Sequence, residues 1–376
     1  MMAAVPPLHP FVFRFGRVGD MIMVTALLRF LHARYGNPCH VVGAGAWNHD
    51  VLLGNPDVAA SWAFPRHAPF ALSLTWPRVL AALHRTAPGP IYVCEYQYRQ
   101  LPRIRRLLAM SGIDHRRILR FGADPSLGEV HWVDCLLRFG EGTPAALKGE
   151  DYPLPAAAGE WAPRLSIQDS ERAERDAWLV ARGWAGRPLI LIQPGNHRSM
   201  SKRRKRFRRL NSDDKAWPIE QWADLIRRVH ARLPKALILL RGSVEEVAML
   251  EEVRVASGLD AVAVAGLPLR PTFALCEVAH SMISIDTGPA HAAAALGLPL
   301  VVLFGAGLPG VWVPRSPTGS PVLGVGGPPV SIRADQISVD TVFETWCRLL
   351  EQGPGRADPA PLAPLELTGT SVLGAH

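Results

Sequence analysis

The chain of 376 residues has few cysteines: Cys39, Cys94, Cys135, Cys276 and Cys347 are odd in number, widely spaced, and form no C-x-x-C pair. A disulfide scaffold and a cysteine-based zinc or redox site are therefore excluded, and buried thiols are expected. Long apolar runs are missing too. The longest, Leu298 to Phe304, falls far short of the roughly 20 residues that cross a bilayer. The N-terminal stretch MMAAVPPLHPFVFRFG has neither the basic start nor the small-residue cleavage site of a secretory leader, so a cytoplasmic location is expected. No repeat with a period of 20 to 50 residues is visible, which sets aside solenoids and propellers. No G-x-G-x-x-G is present either, which weakens a dinucleotide-binding reading.

What is present is apolar content of 48%, with 34 prolines and 33 glycines, the composition of a globular chain with many turns. The length suits two domains with separate cores. The net charge of +8 resembles a nucleic-acid signature until it is located. Arg198 to Arg209 holds eight basic residues and no acidic one, so the whole excess belongs to that segment.

Apolar strand-like runs alternate with helical patterns along most of the chain, predicting an α/β protein with doubly wound parallel sheets. In the first half, strands are predicted at Phe11 to Phe15, His40 to Val42 and Ile91 to Cys94. Helices are predicted at Met21 to Tyr35, with Ile22, Leu27, Leu28 and Leu31 lining one face, and at Leu72 to His84 and Arg99 to Met110. Residues 140 to 168, rich in Gly, Pro and Ala, read as a connection between domains. Beyond them, helices from Ser170, Pro218, Val244, Pro271 and Pro289 alternate with strands Pro188 to Gln193, Ala236 to Arg241, Ala261 to Ala265, Met282 to Ile285 and Leu300 to Phe304. The expected division is residues 1–150, residues 151–337, a last helix within 338–352 and a disordered tail at 353–376.

In open parallel sheets, ligands bind outside the carboxyl ends of the strands. Three loops fit. Arg14-Phe-Gly-Arg-Val-Gly-Asp20 has two glycines for a tight turn and a carboxylate at a helix start; Asp20 is either a general base or a helix cap. Ile285-Asp-Thr-Gly-Pro-Ala-His291 runs from a strand into a helix whose exposed N–H groups suit a diphosphate, or is a capped helix with a packed histidine. Gln193-Pro-Gly-Asn196 leads through the basic run to Lys215, which reaches a phosphate or is simply solvated. Trp217 and Trp222 are expected core anchors.

The ordered set of R-x-G-x-x-G-D at Arg14 to Asp20, P-G at 194–195, D-D-K-x-W-P-x-E-x-W from Asp213, the glycine turn Arg241-Gly-Ser-Val-Glu-Glu246 and D-T-G-P-A-H from Asp286 resembles glycosyltransferase family 9. These are the ADP-heptose:lipopolysaccharide heptosyltransferases and their relatives, and the resemblance spans roughly residues 11–315. It implies a GT-B fold, two Rossmann-like domains facing across a cleft. It also implies inverting transfer by direct displacement, with no metal or other cofactor, from a nucleotide-sugar donor such as ADP-heptose to an anionic glycolipid or cell-envelope glycan acceptor. On the same grounds Asp20 matches the general base, Lys215, Asp286, Thr287, Gly288, His291 and Gly195 the donor site, and Arg14, Arg17 and Gly19 the acceptor side.

Two departures stand out. Val244 occupies the position where family members place an acidic residue near the donor's ribose, and Arg198 to Arg209 is an insertion. That insertion is a peripheral dock for an anionic membrane, worth about 1 kcal/mol per basic residue, a nucleic-acid contact poor in stacking aromatics, or a solvated loop. The competing functions are a nucleotide-sugar epimerase or hydrolase on the same fold, and a nucleic-acid-binding protein led by the insertion.

Overall fold

The computed structural model describes residues 6–65, 73–95, 100–122, 130–155, 161–196 and 213–352. Its chain forms two parallel sheets covered by helices. The first contains β1 (Phe11–Phe13), β2 (Cys39–Ala44), β3 (Val58–Phe64), β4 (Ile91–Val93) and β5 (Ile118–Arg120), in the order β3-β2-β1-β4-β5. The second contains β6 (Leu189–Gln193), β7 (Leu237–Gly242), β8 (Val262–Gly266), β9 (Ser281–Ile285), β10 (Leu300–Phe304) and β11 (Val322–Gly326), in the order β11-β10-β9-β6-β7-β8. Read from β8, this second order is that of a six-stranded Rossmann sheet, whose ligand crevice opens where the winding reverses, between β6 and β9. In the first sheet the reversal lies between β1 and β4.

The central strands are apolar without alternation because helices cover both of their faces: Leu300 to Phe304 and Leu189 to Gln193 are buried throughout. The helices of the first half are α1 (Val18–Tyr35), α2 (Trp47–Leu52), α3 (Thr75–Arg85), α4 (Leu101–Ala109) and α5 (Trp132–Glu141). Those of the second are α6 (Asp169–Val180), α7 (Ile219–Arg232), α8 (Val247–Ser257), α9 (Leu269–Cys276), α10 (Gly288–Ala295), α11 (Pro309–Trp312) and α12 (Val339–Gln352). Trp217 and Trp222 are buried as expected and meet edge to face at 4.7 Å, with the Trp217 indole N–H donating to the Ile337 carbonyl. Cys39, Cys94, Cys135 and Cys276 are buried free thiols.

Three expectations need correction. The helix α1 starts at Val18, before Met21, and is buried on nearly every side rather than along one stripe. It is enclosed by the first sheet, α5 and α10, so its apolar residues need no 3.6-residue periodicity. The two halves do not have wholly separate cores: Met21, Leu28 and Trp132 share one cluster with Phe273, Ala292 and Val311 of the second half. The described residues of the connection, 140–155 and 161–168, are packed. Arg34 holds the carbonyls of Gly140, Glu141 and Gly142 at the end of α5, and Arg164 pairs with the buried Asp57.

The elements β3, β5, α2 and β11 escaped the sequence reading because they are short or half exposed and carry no strong apolar pattern, whereas α5 was missed although Trp132, Val133, Cys135 and Leu136 form one buried face at helical spacing. The basic segment 198–209 and the tail 353–376 lie outside the described residues.

Candidate active site

The loop after β1 and the start of α1 bring Arg14, Gly16, Arg17, Gly19 and Asp20 to the reversal point of the first sheet. Asp20 lies in the first turn of α1, where its Oδ2 accepts the backbone N–H of Arg17 at 2.8 Å. Its Oδ1 accepts Nη2 of Arg14 at 2.7 Å. Asp20 thus does cap its helix, and its side chain is still 17% exposed, so capping leaves part of the carboxylate open to the cleft. Burial pushes its carboxyl group up, but the Arg14 guanidinium and the Arg17 N–H outweigh this and hold it below the usual carboxylate range.

The two glycines act differently from the tight-turn expectation, since neither adopts a positive φ. A Cβ on Gly16 would lie 2.3 Å from Cβ of Asp20, and one on Gly19 would lie 2.9 Å from Cδ2 of His291. They provide space. Arg14, expected on the acceptor side, is fully enclosed and directed at Asp20 and at Glu95. A guanidinium without exposed surface cannot meet an acceptor, so that expectation is replaced by a supporting position behind Asp20. Arg17 is exposed at the mouth of the loop.

The second sheet supplies the facing wall from its own reversal point. Asp286 and Thr287 follow β9, and Gly288 opens α10. A Cβ on Gly288 would fall 2.8 Å from Cβ of Val18, so the N-termini of α1 and α10 meet almost backbone to backbone. The positive dipole ends of both helices converge on this junction, which suits it to an anion.

Lys215 is no free surface lysine. Its Nζ forms an ion pair with the Asp286 carboxylate and donates to the Asp286 carbonyl at 3.0 Å. His291 is buried between the halves, with Nε2 4.0 Å from Oδ1 of Asp286. Burial lowers its pKa, opposed by Asp286 and Asp20, so the ring is neutral at neutral pH. Asp20, His291, Asp286 and Lys215 therefore form one electrostatic group drawn from both sheets.

Gly195 follows β6, and a Cβ there would meet Oε1 of Glu246 at 2.2 Å. Val244 is 69% exposed, while Glu246 turns inward and accepts the Ser243 N–H.

The sequence reading missed three contributors. Glu95, just after β4, is buried; its Oε1 lies 3.4 Å from Nη1 of Arg14 and its Oε2 accepts the Phe15 N–H at 3.1 Å. Asp213 accepts Nδ2 of Asn196 at 2.8 Å and the Lys215 N–H at 3.2 Å. Asp213 thereby ties Asn196 to the backbone of Lys215. Asp214 accepts the Ala306 N–H, tying the lysine loop to the glycine-rich loop after β10. The carboxyl-edge rule already applied to Asp20 would have flagged Glu95. Among the described residues, no group of three or more His, Cys, Asp or Glu side chains could hold a metal ion, and no helix is long and apolar enough to cross a membrane.

Two Rossmann-like sheets with facing reversal points, a carboxylate on one wall and a lysine with a helix N-terminus on the other, make up the arrangement of the GT-B fold. Residues 146–324, a little under half of the chain, match the model of glycosyltransferase family 9 (heptosyltransferase).

Solved structures agree on the fold. A family 9 glycosyl transferase from Veillonella parvula superposes with a TM-score of 0.69 at 15% identity, covering 93% of this chain and 99% of that one. The ADP-heptose lps heptosyltransferase II of E. coli gives 0.65 at 19% identity over 92% and 99%. The E. coli heptosyltransferase WaaC with ADP gives 0.62 at 16% identity over 91% and 100%. No curated protein matches the sequence.

Proposed function

We propose that this glycosyltransferase moves a sugar, a heptose from ADP-heptose or a similar nucleotide sugar, to a hydroxyl of a lipopolysaccharide or other cell-envelope glycan acceptor, with inversion. The observation that carries this reading is the meeting of Asp20 from one sheet with His291, Asp286 and Lys215 from the other across the α1–α10 junction. The acceptor oxygen attacks the anomeric carbon while Asp20 takes its proton. The bond from that carbon to the diphosphate oxygen breaks, and the negative charge that grows there falls to Lys215 and the positive dipole end of α10.

A carboxylate held below its usual range is a weak base towards a free alcohol. It is nevertheless ionised throughout the working pH range, and the hydroxyl becomes acidic only as the new bond forms. Asp286, Thr287, Gly288, His291 and Gly195 are the donor side in this reading, while Gly19 and the exposed Arg17 border the acceptor. The basic segment 198–209 is offered as a peripheral contact with an anionic membrane surface, read out by flotation with anionic vesicles before and after its deletion.

Asp20→Asn tests the base. Turnover with donor and acceptor should fall by at least about a thousandfold while donor affinity by calorimetry stays within a few-fold. Near-normal turnover would reject Asp20 as the base, and product appearing without acceptor would replace transfer by epimerisation or hydrolysis.

A further inference from the structure

The side chain that supports Asp20 is itself supported. Arg14 is fully enclosed, and three of its contacts fix the plane of its guanidinium: Nη1 donates to the Cys94 carbonyl at 3.0 Å and lies 3.4 Å from Oε1 of Glu95, and Nη2 donates to Oδ1 of Asp20 at 2.7 Å. The Trp132 ring lies 5.5 Å from the guanidinium carbon. Glu95 is anchored in turn by the Phe15 N–H, one residue beyond Arg14 on the same loop. One buried cation is therefore shared between two carboxylates, only one of which reaches the cleft: the Glu95 side chain is wholly buried and that of Asp20 is 17% exposed.

An arginine and a single carboxylate prefer the two-pronged arrangement in which both oxygens are occupied. Here Arg14 touches one oxygen of Asp20. The other accepts the Arg17 N–H, which leaves lone pairs on both oxygens open to a proton.

We propose that Glu95 is a positioning residue for the transfer, holding one arm of Arg14 so that this cation orients Asp20 through a single oxygen instead of clamping both. This rests on Asp20 being the base. Two effects follow from the shared cation. The second negative charge offsets part of the Arg14 charge felt by Asp20, which preserves proton affinity in a carboxylate that the arginine would otherwise depress further. The fixed guanidinium plane also aims the remaining lone pairs of Asp20 into the cleft. Among the described residues, the charged and titratable groups facing Asp20 include Arg14 from β1 and its loop, Glu95 beyond it after β4, and His291 from α10 with Asp286 and Lys215 behind it.

The test is a double-mutant cycle on the full chain with donor and acceptor saturating. Glu95→Gln keeps the shape and an acceptor for the Phe15 N–H but removes the charge. It should lower kcat by ten- to a hundredfold, with KM for both substrates within about twofold and donor affinity by calorimetry unchanged. In an Asp20→Asn background, the same change should cost nothing further, because the group it positions is gone. Glu95→Asp, which restores the charge at a shorter reach, should recover part of the loss.

Wild-type kcat in Glu95→Gln overturns the proposal, as does an equal further loss in the Asp20→Asn background, which would show that Glu95 acts on the fold and not through Asp20. If Asp20→Asn is itself active, the base assignment fails first, and Glu95 falls with it. An inactive Asp20→Asn beside a fully active Glu95→Gln refutes the positioning role alone.

Discussion

Gly19 is where the two halves of the site approach most closely, and Gly19→Ala measures how much that closeness matters. The added Cβ would stand 2.9 Å from Cδ2 of His291, and ordinary contact begins near 3.4 Å, so ring or helix must retreat by about half an ångström. The ring cannot swing away, since its side chain is 7% exposed and sits beside Asp286. Overpacking of this kind costs about 1–3 kcal/mol. Gly19 occupies the first turn of α1, where alanine is intrinsically better by about 1 kcal/mol, so the net loss should be about 1 kcal/mol, or roughly 2 °C in Tm.

Turnover is far more sensitive, because the displacement separates Asp20 from the donor wall, and a shift of this size costs about ten- to a hundredfold in kcat. The assays are a thermal melt and initial-rate kinetics beside Gly310→Ala, a helical glycine with nothing within 4 Å of its added Cβ, where turnover should be unchanged and Tm equal to or slightly above wild type. Wild-type turnover in Gly19→Ala with an unchanged or higher Tm would refute the claim that the α1–α10 junction sets the catalytic geometry.

Two further outcomes are expected. Lys215→Ala strands the Asp286 carboxylate without its partner, beside the place proposed for a diphosphate. Donor affinity by calorimetry should drop about ten- to a hundredfold, with stability within about 1 kcal/mol because the pair is partly open to solvent. His40 has its pKa lowered to about 4 by burial and by the neighbouring His9 and Arg85 charges. A base with a depressed folded pKa stabilises the protein fully above about pH 6.5, and that stability is lost as pH falls towards 4. His40→Phe keeps the stacking on Phe11 and should therefore lose about 1–2 kcal/mol less between pH 7 and pH 5 in urea unfolding, after allowance for the exposed part of the ring.

The strands β6, β9 and β10 were visible in the sequence because strands buried on both faces must be continuously apolar, and their ends fell within about a residue of the expected positions. The Asp20 and Asp286 loops were visible for a related reason: polar residues and glycines directly after such runs lie at the carboxyl ends of the strands, where ligands bind in open parallel sheets. The strands β3 and β5 were not visible, since a half-exposed edge strand such as Val58–Phe64 and the three residues Ile118–Arg120 lack a period to detect. The single-face expectation for α1 failed because enclosure on several sides removes the very periodicity that identifies a surface helix.

By itself the sequence determined that this is an α/β chain of βα units, that its excess charge is confined to one segment, and which loops carry polar side chains at the strand ends. These are properties of neighbouring residues, fixed by burial and backbone geometry over a few positions. Strand order was decided only by the tertiary structure. It put β1 beside β4 and β6 beside β9, bringing Glu95 behind Arg14 and Lys215 onto Asp286 across about seventy to eighty intervening residues. The meaning of Arg14 changed for the same reason: an arginine in a glycine loop looks like an anion contact until packing removes its surface. Burial and pairing across two sheets depend on which surfaces meet, and no local pattern encodes that.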